Sequence, residues 1–169
     1  MKTLYLLRHA KASSKESNLP DVDRPLRKKG RLQADAMSDH LSSLLPPPQC
    51  VVSSPSLRTR QTLHYFLEVW PLEPKRLSFP SDLYLGESDR LLERVRELPD
   101  SVEVAMLVGH NPGISDLARR LVASTGKKGM NSMRTCGFLQ VDFNCATWKK
   151  IKPGSGDVKL DLRPKDLKV

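Results

Sequence analysis

Short apolar runs of β type alternate along this chain with longer stretches whose apolar residues recur at helical spacing, and that alternation limits the folds open to it. Thr3–Leu7 reads as a strand. Leu26–Leu45 reads as a helix, with Leu32, Met37, Leu41, Leu44 and Leu45 near helical period. Cys50-Val51-Val52 is a short buried strand bounded by Ser53-Ser54-Pro55. Ser56–Val69 then reads as a helix, with Ser54 as its N-cap and Pro55 suited to the first helical position. A weak strand precedes a helix from about Ser88 to Leu98, which carries Leu91, Leu92, Val95 and Leu98 on one face. Val104–Val108 is another β-type run, and Asn111-Pro112 opens a helix to about Val122. Phe138–Phe143 and Thr147–Ile151 alternate, which predicts a hairpin around Asn144-Cys145-Ala146. This order predicts an α/β protein: a three-layer α/β/α sandwich with a mainly parallel sheet and an antiparallel edge.

The 169 residues suffice for one domain with a real core. That domain is expected over residues 1–152, with 153–169 as a C-terminal tail. The tail is rich in Pro, Gly, Asp and Lys and reads as a surface strap or mobile end. Pro46-Pro47-Pro48 is a connector, and no internal repeat is visible.

Composition removes several classes of function. No apolar run approaches the ~20 residues of a membrane span. The apolar stretch before Arg8 is shorter than the ~7–15 residues of a signal-peptide core, so a cytoplasmic protein is expected. Three cysteines, Cys50, Cys136 and Cys145, show neither a pairing pattern nor metal-ligand spacing. No metal and no cofactor are expected. The net charge of +9 suits an anionic partner. Its basic residues are scattered, however, and aromatic residues for stacking on single strands are few. Nucleic acid is therefore not an expected partner. Steering of an anionic substrate, or simple solvation, accounts for the charge.

In an open α/β sheet, ligands bind beyond the carboxyl ends of the strands. Three segments deliver unusual residues there: Arg8-His9, Ser53 to Arg58, and Gly109-His110-Asn111-Pro112. Taken singly, each has an ordinary structural role as a surface cation, a satisfied imidazole or a turn residue. Taken together, two arginines and two histidines describe a phosphoryl pocket. Guanidinium forks match phosphoryl oxygens and keep their charge. A neutral imidazole attacks, and a protonated one donates to an oxyanion. Helix N-termini following Ser54 and Asn111 would add N–H groups of the right polarity.

The segments LLRHAKAS, DVDRPLRKKGRLQA, VVSSPSLRTRQT and LVGHNPGI resemble, in matched order over about residues 2–122, the motifs of the histidine phosphatase superfamily. That group includes phosphoglycerate mutases and acid phosphatases. The first segment is similar to its RHG signature, with Ala10 replacing Gly. The RHAK opening, the DRPL segment, the GHNPG loop and the short length resemble the SixA-type phosphohistidine phosphatases. The resemblance implies a phosphoglycerate mutase-like fold and a metal-independent phosphatase. It implies His9 as nucleophile, forming a transient phosphohistidine, and Arg8, Arg58 and His110 as clamps on the phosphoryl oxygens. Lys11 and Arg24 lie beside the matched motifs and are candidate substrate-binding residues at the mouth.

Three departures from the family pattern stand out. Arg27 stands where relatives often place a helix-capping residue, and Thr59 where Ala is common. No carboxylate matches the position of a proton donor. Asp21, Asp23, Asp82 and Glu87 are the candidates; all read first as surface acids, and Asp82 and Glu87 come nearest to a donor. A phosphoramidate needs an internal acid less than an alkoxide ester does, because its leaving imidazole departs more readily. The favoured substrate is therefore a protein carrying phosphohistidine. The alternatives are a phosphomonoesterase acting on a small phosphorylated metabolite, and a non-catalytic module that binds phosphoproteins.

Overall fold

A computed structural model describes residues 1–14, 18–122 and 130–169. Six strands form one sheet in the order β3-β2-β4-β1-β5-β6. They are β1 (Lys2–Arg8), β2 (Cys50–Ser53), β3 (Leu77–Ser78), β4 (Val104–Gly109), β5 (Phe138–Phe143) and β6 (Gly156–Leu162). Strands β1 to β4 pair in parallel, while β5 runs antiparallel to both β1 and β6. The helices are α1 (Lys28–Leu44), α2 (Leu57–Val69), α3 (Ser88–Arg96) and α4 (Gly113–Leu121). The element order is the one the alternation predicts, including the weak third strand and the antiparallel edge.

Strand β1 explains the layering. Leu4, Tyr5, Leu6 and Leu7 are all fully buried, as a central strand covered on both faces requires. Because side chains alternate across a strand, Leu4 and Leu6 enter one core and Tyr5 and Leu7 the other. The first core joins Leu107 and Leu139 to Leu91, Leu92 and Val95 of α3 and Ile114, Leu117 and Leu121 of α4. The second joins Met106 and Val108 to Met37 and Leu41 of α1 and Leu63 and Phe66 of α2. Helices thus cover both faces of the sheet.

Local details differ from the sequence expectations. The stripe of α1 is Ala34, Met37 and Leu41, while Leu32 and Leu44 stay exposed. That helix begins after Arg27, with no side-chain cap. Helix α2 is capped by Ser56, whose hydroxyl accepts from the Thr59 N–H, and not by Ser54. Thr147–Ile151 is not the hairpin partner of β5. It contains a 3-10 turn that buries Trp148, whose indole N–H donates to the Val102 carbonyl at 2.8 Å. A large ring with a single donor is best served inside the core with one acceptor. The partner of β5 is instead β6, drawn from the segment expected to be a strap or mobile end. No helix among the described residues is long and apolar enough to cross a membrane.

The site follows from the register. Arg8 lies opposite Gly109, and Ser53 opposite Val108. Strands β1, β4 and β2 therefore finish at one level, and the residues just past them share one rim. Gly30 of α1 lets that rim close tightly, since a Cβ there would meet the Lys11 carbonyl oxygen at 2.1 Å.

Candidate active site

Arg8, His9, Lys11, Asp21, Arg24, Arg58 and His110 line one pocket of about 330 Å³. All six residues singled out in the sequence are thus brought together. The two histidine rings lie 5.2 Å apart, centre to centre, at 54°.

His9 is held by its backbone neighbour. Its Nδ1–H donates to the Ala10 carbonyl at 2.7 Å. A carbonyl can only accept, so the proton sits on Nδ1 and Nε2 keeps its lone pair. Burial lowers the His9 pKa to about 4; the Ala10 carbonyl opposes that, and Arg58, Arg8 and Arg24 lower it further. The ring is therefore neutral near pH 7, the state in which an imidazole attacks. Ala10 is fully buried, and its N–H donates to the Thr62 hydroxyl at 2.9 Å. Thr62 in turn donates to the Arg58 carbonyl, which ties the end of β1 to α2.

His110 is held by a hydroxyl. Its Nε2 lies 2.7 Å from Ser54 Oγ. That oxygen also accepts from the Ser56 N–H, and among the described residues its own proton has no acceptor other than His110 Nε2. This assignment puts the remaining imidazole proton on Nδ1, a buried atom with no partner among the described residues. Burial lowers the His110 pKa to about 3, with His9 and Arg58 adding to the effect and Asp21 opposing it.

The arginines are seated from opposite sides. Arg8 Nη1 donates to the Met133 carbonyl at 3.0 Å. Arg58, on the first turn of α2, donates Nη1 to the Asp21 carbonyl at 2.7 Å and Nη2 to Asp21 Oδ2 at 3.1 Å. The Nε atoms of both arginines are buried without a partner among the described residues. Unsatisfied buried donors are rare in proteins, and a cluster of them around one pocket suits an anion. Arg24 pairs with Asp21 Oδ1 at 2.9 Å.

Asp21 and Tyr84 are the residues that sequence reasoning undervalued. Asp21 sits in a 3-10 turn over Asp21–Asp23 that brings it into the pocket. Tyr84 donates its hydroxyl proton to Asp21 Oδ2, and its ring stands edge-on to His110. That hydroxyl, followed by Arg24 and Arg58, holds the Asp21 carboxyl far below its ordinary range despite partial burial. The two acids expected to come nearest to a donor lie elsewhere. Asp82 is clamped by Arg94 at 2.8 Å, and Glu87 occupies the N-cap position of α3. Neither lines this pocket. The DVDRPL segment was visible as a motif, but its turn geometry, which aims Asp21 inward, carries no spacing signal.

A model of the histidine phosphatase superfamily (branch 1) matches residues 4–122, and the chain belongs to that superfamily. Within it the chain is of the SixA type. A structure described as that of a candidate phosphohistidine phosphatase SixA from Nakamurella multipartitia superposes with a TM-score of 0.84 at 27% identity, covering 96% of each chain. A protein histidine phosphatase SixA complexed with tungstate superposes at 0.79 with 20% identity, covering 98% of this chain and 99% of the other. Among sequences, an uncharacterised chloroplastic protein of Arabidopsis thaliana is 30% identical, over 94% of this chain and 75% of its own. An uncharacterised protein of Mycobacterium tuberculosis is 32% identical, over 88% of this chain and 93% of its own. The superfamily implies phosphatase activity on a phosphorylated substrate.

Proposed function

We propose that this protein removes the phosphoryl group from phosphohistidine in another protein, through a phosphohistidine intermediate on His9. The observation that carries this reading is the neutral His9 ring, with Nδ1–H fixed on the Ala10 carbonyl and Nε2 left as a nucleophile among Arg8, Arg58 and His110. Nε2 attacks phosphorus, and the N–P bond of the substrate breaks. The departing imidazole nitrogen keeps the bonding pair and takes up a proton from solvent. Water then attacks phosphorus on His9, releasing inorganic phosphate and restoring the Nε2 lone pair. In both steps the guanidinium groups and His110 Nδ1–H carry the charge on the non-bridging oxygens. Arg8, Arg58 and His110 serve here as clamps, and Lys11 and the buried Arg24 line the same pocket.

The choice of phosphoramidate over ester rests on the acids. Asp21, the carboxylate of the pocket, is held ionised and has no proton to give. Tyr84 keeps its proton, as burial and Asp21 raise its pKa, but spends it on Asp21. An alkoxide needs a proton as it leaves; an imidazole needs it far less. The names of the SixA structures, which refer to histidine phosphatases, agree with this substrate class.

The test is phosphate release from a histidine-phosphorylated carrier protein, with a simple phosphomonoester and the His9→Ala variant in parallel. Fast turnover of the phosphohistidine, lost in the variant, is the expected result. Preference for the ester would overturn the substrate assignment.

A further inference from the structure

The phosphoryl pocket shares Arg8 and Asn111 with a second groove of about 520 Å³, which no step above uses. Met133, Arg134, Asp161 and Arg163 also line it. Its volume lies in the range of ~300–1,000 Å³ typical of ligand sites. The wall between the two spaces is built into the fold. The Met133 carbonyl accepts from Arg8 Nη1 and from Asn111 Nδ2, both at 3.0 Å. The Met133 N–H donates to Ser115 Oγ at 2.9 Å. The Cys136 N–H donates to the His9 carbonyl at 2.9 Å, and the Arg8 N–H donates to the Gly137 carbonyl at 3.1 Å. Arg134 therefore projects from a segment stitched directly to the nucleophile's own strand.

Its side chain is exposed. No ion pair or hydrogen bond of the Arg134 guanidinium is present among the described residues. Arg163 is paired with Asp166 at 3.2 Å. The acid of the groove lining, Asp161, is exposed at the surface, and partial desolvation raises its pKa above the ordinary carboxylate range although Arg163 opposes the shift. Arg134 is close enough to Arg8 for the two like charges to matter: after burial, it is what lowers the Arg8 pKa. Arg8 lines both spaces and Arg134 the groove alone, so a substrate whose phosphoryl group is held by Arg8 leaves Arg134 for a second anionic group.

We propose that the groove receives the part of the substrate beyond the phosphoryl group, and that Arg134 binds a carboxylate there: an acidic side chain next to the phosphohistidine of the partner protein. This deepens the reading of His9 as a phosphohistidine phosphatase and rests on it. A bidentate arginine–carboxylate contact is formed in the ground state and the transition state alike, so its effect appears in KM more than in kcat.

The test uses histidine-phosphorylated peptides that differ only in having Asp or Asn beside the histidine. Wild-type protein is expected to favour the Asp peptide by roughly tenfold in kcat/KM, about the value of one good charged contact. Arg134→Ala is expected to bring that ratio close to unity, and Arg134→Glu to favour a Lys peptide instead. Thermal melts confirm that both variants fold. Equal turnover of the two peptides by wild type, or a preference that survives both substitutions, overturns the proposal. If phosphopeptides are inert while a phosphomonoester turns over, the phosphohistidine reading fails separately. The same ratio is then measured on phosphomonoesters with and without a carboxylate. A ratio that collapses in Arg134→Ala keeps the carboxylate site and assigns it to a small acid; an unchanged ratio removes it.

Discussion

Strands β1 and β4 end at the same level, and each hands the next position to a buried histidine. The two ends use different means to fix the ring. At the end of β1, the partner of His9 is a backbone carbonyl, which admits one tautomer. At the end of β4, the partner of His110 is the Ser54 hydroxyl, which can donate or accept. The free nitrogen of His9, the proposed nucleophile, is thus set by an atom that side-chain substitution at position 10 leaves in place. The proton of His110, the proposed donor, is set by a side chain that mutation can delete. The same contrast separates attack, which needs a lone pair in one place, from clamping, which needs a proton in another.

The largest expected effect breaks the comparison outright if the roles are reversed. His9→Ala is expected to lose at least ~10³-fold in turnover and all covalent label from a radioactive phosphoryl donor. His110→Ala is expected to lose roughly 10²–10³-fold, the cost of one oxyanion donor, while still accepting label. Label on His9→Ala and none on His110→Ala would exchange the two assignments.

Acid sharpens the comparison next. Burial lowers the two pKa values to about 4 for His9 and about 3 for His110, from 6.5. The acid limb of kcat/KM for the free enzyme is therefore expected near pH 4, well below that of an ordinary imidazole, when followed with an acid-stable phosphomonoester. Stability should move in the same direction. Between the unfolded value of 6.5 and the folded values, the unfolded chain binds more protons than the native one. Stability is thus complete above the unfolded value and is lost as pH falls through that window. Denaturant midpoints at pH 7 and pH 5 measure this. A His9→Gln, His110→Gln double variant should show a smaller difference between them.

Why the fold was more legible than the site's acid follows from which atoms carry each signal. Leu4 to Leu7 form a continuous apolar run because the strand is covered on both faces, and this is written in the residues themselves. Arg8, His9, Arg58 and His110 converge because strand ends and one helix turn bring them together, which topology predicts. Asp21 depends on a 3-10 turn, and Tyr84 on another loop that meets it across the pocket. Neither contact has a period or a spacing. Ser54 shows the same limit: its place before Pro55 suggested a helix cap, and only the approach of β4 reveals that it serves His110. The β6 strand was missed because its alternation is carried by Val158, Leu160 and Leu162 within a charged stretch that resembles a tail.

Ser54 supplies a smaller but more pointed test. Ser54→Ala removes the group that assigns the His110 proton, and about a tenfold fall in kcat/KM is expected, the equivalent of one hydrogen bond. Nitrogen chemical shifts of His110 should change from one dominant tautomer to a mixture, while those of His9 stay as they are. Ser54→Thr should restore both activity and spectrum. Loss of activity without any change in the His110 spectrum would place Ser54 in structure alone.

The smallest expected effect concerns the acid that both strand ends face. The Asp21 carboxylate accepts once from Arg58 and twice from Arg24, while its backbone carbonyl takes a further bond from Arg58, so the carboxylate competes with phosphoryl oxygens for the same guanidinium groups. Asp82 is also clamped by an arginine but lies outside the pocket, where its charge costs a substrate nothing. Asp21→Asn keeps the shape of the turn and removes the competing charge. Inorganic phosphate should then inhibit at a several-fold lower concentration, since an arginine released from a carboxylate gains a free partner site. The opposite outcome is equally specific. A fall of ~10²-fold or more on phosphohistidine, with phosphate inhibition unchanged, would be the mark of a lost general acid. Asp21 would then have to shed its partners and take up a proton when substrate binds, and the argument from leaving groups would no longer favour a phosphoramidate.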